Sequence, residues 1–227
     1  MRLLAIDAST EACSAALLLG GESIGRYEEP AGGQAERFLA LIAEVLAEAG
    51  VRAASLDAIV AGIGPGAFTG VRVSVSVAQG LAFGAGLPVV PVSTLEALAW
   101  PRVGQGPVLA CLDARMAEVY WGCYRADAKR GVVATFAPCV GPIESVRPQG
   151  VPPRRGVGRG FSAYPTLGAA AAVEVDARDA RALPDALQIA SLGALRFAAG
   201  EALDPAALAP LYLRDKVALT ELERARR

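Results

Sequence analysis

The chain contains no histidine. Imidazole is the side chain best suited to moving a proton near neutral pH and a common nitrogen ligand for metals, so histidine-based acid–base catalysis and imidazole–metal ligation are both excluded. Lysine occurs only as Lys129 and Lys216, neither with an obvious serine or cysteine nucleophile near it in sequence. The cysteines Cys13, Cys111, Cys123 and Cys139 match neither CxxC metal pairs nor a disulfide framework. Reduced thiols, most of them small core residues in a cytoplasmic chain, are the expectation. There is no basic excess, because 22 basic residues nearly balance 23 acidic ones. A chain that binds nucleic acid by itself usually concentrates a surplus of positive charge on one face. Even the tail "RDKVALTELERARR" interleaves its bases with acids. No hydrophobic run is suited to a membrane: Val73–Leu95 is uncharged, but Pro88, Pro91 and several glycines and serines break it up. The apolar run at the N-terminus is interrupted by Asp7 too early for a secretory signal.

What is present is a globular chain of 227 residues, 53% apolar and 20% charged, large enough for one domain or two lobes sharing a hinge. "RLLAIDAST", "CSAALLLGG" and "ESIGRYEEP" read as three short strands separated by turn residues. In "QAERFLALIAEVLAEAG" the positions Phe38, Leu41, Ile42, Val45, Leu46 and Ala49 keep the rhythm of one helical face, and Gly50 stops it. "LDAIVAGIG" is a buried strand, and "STLEALAW" opens a helix with the Ser93/Glu96 capping box. The plan then restarts. "VLACLDARMAEVYWGCYRADA" repeats the opening, with Asp113-Ala114 where the first copy has Asp7-Ala8. "GVVATF" and "AAVEVDA" read as further strands, and "PDALQIASLGALRFAAG" as a helix. A duplicated β-β-β-α-β-α unit is the plan of the two-lobed actin-like ATPase (ribonuclease H-like) α/β fold, with lobes expected at 1–98 and 99–227 and the C-terminal segment packing back on the first lobe.

In that fold the first hairpin of each lobe wraps nucleotide phosphates, and a D-x-G-T pattern lets backbone amides approach closely. Here the positions read Asp7-Ala8-Ser9-Thr10 and Asp113-Ala114-Arg115-Met116, without the glycine. The stretch "GIGPGAFTGVRVSVSVAQGLA" offers Gly64, Gly66 and Gly70, but it lacks the lysine of a Walker A loop. Its structural reading is a tight Gly64-Pro65-Gly66 turn with Thr69 capping a helix and Gly70 starting it. "VRVSVSV" by itself alternates with the period of a strand. "VRPQGVPPRRGVGRG" places Arg147, Arg154, Arg155 and Arg159 among prolines and glycines, the composition of a solvated loop.

The segment "GIGPGAFTGVRVSVSVAQGLAFGAGLPVVPVSTLEALA" closely resembles the G-P-G-S-F-T-G-L-R segment of the TsaB family of bacterial partner subunits in tRNA threonylcarbamoyladenosine synthesis. "LLAIDASTEACSAAL", "LDARMAEVYWGCY", "GVGRG" and "PLYLRDKVA" agree with that family in the same order. One departure is "GQAERFLAL", where Gln34 and Ala35 stand at the place of an expected histidine. The resemblance implies that the ambiguous segment is a helix, and that the fold is actin-like without catalysis or metal. It further implies a TsaD-like transferase and a TsaE-like ATPase as partners, with ATP or ADP at the contact with partner subunits. The first two helices would build a four-helix interface with the transferase or with a second copy, and Phe38, Leu41, Val45, Val73, Val77 and Leu81 are the candidate contacts.

The alternative is an actin-like ATPase or kinase-like enzyme, whose candidates would be Asp7, Ser9, Thr10, Gly64, Gly66 and Asp113. A peptidase reading needs a lysine-activated nucleophile, which the sequence does not suggest.

Overall fold

The computed structural model of the protein describes residues 1–214, so most of the tail "RDKVALTELERARR" lies outside the described residues. Three strands open the chain as a meander: β1 (Arg2–Asp7), β2 (Cys13–Leu19) and β3 (Glu22–Glu28). Helix α1 (Gln34–Glu48), strand β4 (Ala58–Gly62), helix α2 (Phe68–Ala85), strand β5 (Val89–Val92) and helix α3 (Thr94–Ala99) complete the first unit. Its sheet runs in the order β3-β2-β1-β4-β5, antiparallel among the first three strands and parallel from β1 outward.

The second unit repeats the meander as β6 (Val108–Asp113), β7 (Glu118–Asp127) and β8 (Gly131–Ala134), but it departs from the first after that. Strand β9 (Cys139–Pro142), which the sequence pattern did not reveal, takes the same edge of β7 as β8, because the ten-residue β7 is long enough to pair with both. The counterpart of α1 shrinks to a 3-10 turn at Ile143–Ser145, and β10 (Arg155–Val157) pairs parallel to β6 inside the stretch expected to be loop. "AAVEVDA" is not a full strand. Only Glu174 bridges Arg155, in the place where the first sheet has β5. Helices α4 (Gly160–Ala163), α5 (Leu167–Ala170) and α6 (Ala186–Ala198) follow. Two such units make this an actin-like α/β fold.

Alternation along β1 explains the layers. Leu4 and Ile6 point into a core shared with Phe38, Leu41 and Val45 of α1 and Val75 and Ala78 of α2. Leu3 and Ala5 point the other way, into a core shared with α3, α6 and Leu112 and Tyr124 of the second sheet. Both faces of the strand are buried, as befits a central strand with elements packed on either side of the sheet. The packing also crosses between units: α6 lies on β1 and β2, and α3 on β6. Gly193 of α6 allows this, because a Cβ there would collide with the Val60 side chain.

The strand-like "VRVSVSV" is helical because both of its valine sets have a use in a helix. Val71, Val75, Ala78 and Ala82 face the sheet, and the buried Ser74 hydroxyl donates to Gly62 O at 2.9 Å. Val73 and Val77 fall on another side and stay half-buried. The helix begins at Phe68 rather than Gly70, and its N-cap is Ala67, so Thr69 is not the cap. The extended Ala67 backbone does the job: its N–H donates to Ser9 O at 2.7 Å, and its carbonyl accepts from Val71 N at 2.9 Å. The Ser93/Glu96 capping box of α3 is present as read.

Candidate functional site

The two hairpins face each other across a cavity of about 430 Å³ lined by Thr10, Glu11, Gln34, Gly66, Phe68, Asp113, Arg115, Arg159 and residues 211–214, among others. The glycine loop forms one wall, and its glycines serve the chain's own backbone. A Cβ on Gly66 would overlap Ser9 O, and one on Gly70 would overlap Ala8 O. Loop and first hairpin are therefore in direct contact, fixed by the Ala67–Ser9 hydrogen bond. Gly64 has φ +93°, which a residue bearing a Cβ adopts only with strain, and its own contacts are Val71 and Leu211 O. Gly66→Ala is expected to lower stability by about 1–3 kcal/mol, since the added methyl meets a fixed carbonyl rather than a flexible side chain. Urea unfolding checks this, and an unchanged midpoint would refute the close-packing role.

The acidic candidates are not brought together. Asp7 ends β1 fully buried, with Oδ2 accepting from the Ser9 hydroxyl at 3.0 Å and Oδ1 without a partner among the described residues. Burial drives its pKa up to about 7, the two Ser9 hydrogen bonds oppose this, and Asp185 adds a small further rise. Asp113 lies on the other side of the cavity within its own hairpin. It accepts from Arg115 N at 2.8 Å, from Arg115 Nη1 at 3.0 Å and from the Tyr164 hydroxyl at 3.2 Å. Arg115 then reaches across to Glu11 Oε1 at 2.9 Å, so the third residue of the second hairpin pattern pins that hairpin to the first. Ser9 and Thr10 are buried. Among the described residues no three acidic, thiol or imidazole groups converge as a metal site.

Gln34 has a defined job. Its Nε2 donates to Thr10 O at 2.7 Å and Ala12 O at 3.0 Å, tying the first hairpin to the start of α1. Of the arginines read as one loop, Arg147, Arg154 and Arg155 are exposed, whereas Arg159 lines the cavity and pairs with Glu29 at 2.8 Å. Pairing across the cleft by Arg115 and Arg214 has no sequence signal, because it depends on how the two lobes meet.

The candidate interface residues divide. Phe38, Leu41 and Val45 are completely buried against the first sheet, where α1 meets β2, which leaves them no surface to offer a partner. The outer side of α1 carries Leu39, 54% exposed, with Ala35, Ala43 and Ala47. On α2, Val73, Val77 and Leu81 are half-buried, and Phe68 and Phe83 are 43% and 60% exposed. Phe68, Thr69, Arg72, Val73, Ser76 and Val77 line a shallow groove, and nothing among the described residues stands over Gly80 or Gly84. No helix among the described residues is long and apolar enough to cross a membrane.

Comparison with known proteins places this geometry. The family model described as TsaD, tRNA N6-adenosine threonylcarbamoyltransferase, matches residues 31–145. The tRNA threonylcarbamoyladenosine biosynthesis protein TsaB of Escherichia coli is 37% identical over 98% of this chain and 98% of its own length. Its Haemophilus influenzae counterpart is 36% identical over 98% and 97%. The solved structure of YeaZ from Pseudomonas aeruginosa superposes with a TM-score of 0.81 at 38% identity, over 93% of this chain and 99% of that one. With relatives this similar end to end, and with a phosphate-loop region filled by its own backbone, the chain belongs to the TsaB family.

Proposed function

We propose that the chain is a non-catalytic partner subunit of the assembly that installs threonylcarbamoyl on the adenosine next to the anticodon of tRNAs. It would dock onto and activate a TsaD-like transferase through the outer faces of α1 and α2, with a TsaE-like ATPase as a further partner. A second copy of the chain takes the same face when the transferase is absent. The two-sided apolarity of α2 carries this reading. A helix needs one apolar side to hold it to its own sheet, and Val71, Val75, Ala78 and Ala82 supply it. Val73, Val77 and Leu81 pack against that core only in part and keep some surface, while Phe83 on α2 and Leu39 on α1 are exposed. The cleft supports the non-catalytic part: loop glycines packed on backbone, a sealed Asp7, and Asp113 engaged by Arg115. In this reading ATP or ADP binds where partner subunits meet and not in this chain alone.

Val77→Glu tests the reading. The side chain is half-buried and can turn to solvent, so the variant should fold, while a charge buried against another chain costs a great deal. Association with the transferase, or with a second copy, is expected to weaken roughly a hundredfold or more, and tRNA modification in a reconstituted assay is expected to fall with it. A folded variant that binds and activates like the original would refute the interface.

A further inference from the structure

After α6 the chain doubles back along α2 and enters the cleft. Leu203 exchanges hydrogen bonds with Val89, and the Gln79 side-chain amide on α2 donates to Pro205 O at 2.9 Å and Leu208 O at 3.2 Å. Leu211 N donates to Ile63 O at 2.8 Å, beside the glycine loop. Three residues later the path has crossed the cavity, and Arg214 Nη2 donates to Ala114 O at 3.1 Å and to the Glu118 carboxylate. Ala114 and Glu118 flank the turn of the second hairpin, whose Arg115, Met116 and Ala117 have φ of 61°, 56° and 60°. Residues with a Cβ hold that left-handed conformation only where surrounding contacts impose it. Between these anchors sits Tyr212. Its hydroxyl accepts from Arg72 Nε at 2.8 Å, and its ring lies 6.0 Å from that of Phe68, over which the Arg72 guanidinium stacks at 3.7 Å.

We infer that residues 211–214 form a clasp that closes the interlobe cleft and couples its closure to the docking face of α2. The coupling follows from shared parts. Phe68 lines both the cavity and the α2 groove, Arg72 lines the groove, and Tyr212 contacts both while lining the cavity. A partner that engages Phe68 and Arg72 competes with Tyr212 for them and so weakens the hold of the clasp. By linkage, weakening the clasp changes affinity for the partner. This coupling rests on the docking role proposed for α2; the clasp itself does not.

The two parts are tested separately in the full chain. Arg214→Ala is expected to speed hydrogen exchange of the Ala114 and Glu118 amides, which close the turn, at least tenfold, with the thermal midpoint within a few degrees of the original. Unchanged exchange there would overturn the clasp. Tyr212→Ala is expected to change affinity for the transferase or for a second copy at least threefold. Unchanged affinity, in a background where Val77→Glu does abolish assembly, would overturn the coupling. If Val77→Glu leaves assembly intact, the docking face is refuted and the coupling with it, while the exchange experiment still decides the clasp.

Discussion

Replacing Arg196 by methionine is expected to destabilise the fold by about 3–5 kcal/mol, the cost of removing one partner from a buried ion pair. Arg196 sits on α6 and is 3% exposed. Its Nη2 donates to Glu96 Oε2 at 2.8 Å, and its Nη1 donates to Pro91 O at 2.9 Å at the end of β5. Glu96 Oε2 also accepts from Ser93 N at 3.2 Å, which makes it the capping residue of α3. One carboxylate thus starts α3, which lies on the second sheet, and holds α6, which lies on the first. Methionine fills much of the same volume, so the loss is mainly electrostatic: Glu96 is left partly buried without its cation and Pro91 O without its donor. Arg196→Met/Glu96→Gln should recover part of the loss, because it removes the orphaned charge. Urea unfolding at neutral pH measures both. A loss below about 1 kcal/mol for the single variant would mean that the pair is not what fastens the two helices.

Much of the first lobe was legible because its signals are local. Three short strands separated by turn residues, an amphipathic α1 stopped by Gly50 and the Ser93/Glu96 box each depend on residues a few positions apart, and each stands where read. The second lobe was less legible for a physical reason. Its α1 counterpart is only a turn, and β9 is four residues whose pairing depends on the length of β7. On the site, the sequence pattern identified the glycine turn but not its contacts. That Gly66 and Gly70 admit Ser9 and Ala8 carbonyls, rather than leave amides free, is a fact of tertiary approach. Phe38, Leu41 and Val45, read as interface candidates, are buried within the chain, because the most regular apolar stripe on a helix is the one its own sheet claims. The irregular remainder, Leu39 on α1 and Val73, Val77 and Phe83 on α2, is what these helices leave wholly or partly at the surface.

Asp7→Asn is expected to remove a pH-dependent penalty of roughly 4 kcal/mol at full development, taking about 1.4 kcal/mol for each unit of pKa displacement. The cause is burial without a cation. One oxygen has the Ser9 hydroxyl, and the other has no partner among the described residues and lies so close to Gly62 that a Cβ there would overlap it. The carboxyl titrates at about 7 in the folded chain, against 3.8 for an exposed aspartate such as the unfolded chain presents. Between these values the folded state keeps the proton and the unfolded state releases it. The unfolded state therefore binds fewer protons, and stability from this group falls as pH rises from about 4 to about 7. Asparagine is nearly isosteric with the protonated form and cannot ionise. The difference in unfolding free energy, variant minus original, should then be small near pH 4 and grow in favour of the variant up to pH 8. Carboxylates such as Glu28 and Asp127, whose pKa values are lowered by Arg37 and by backbone amides respectively, act in the opposite direction but cancel in that difference. A difference that stays constant across the range would show that Asp7 is ionised throughout, and would return it to the candidates for holding a cation in the cleft.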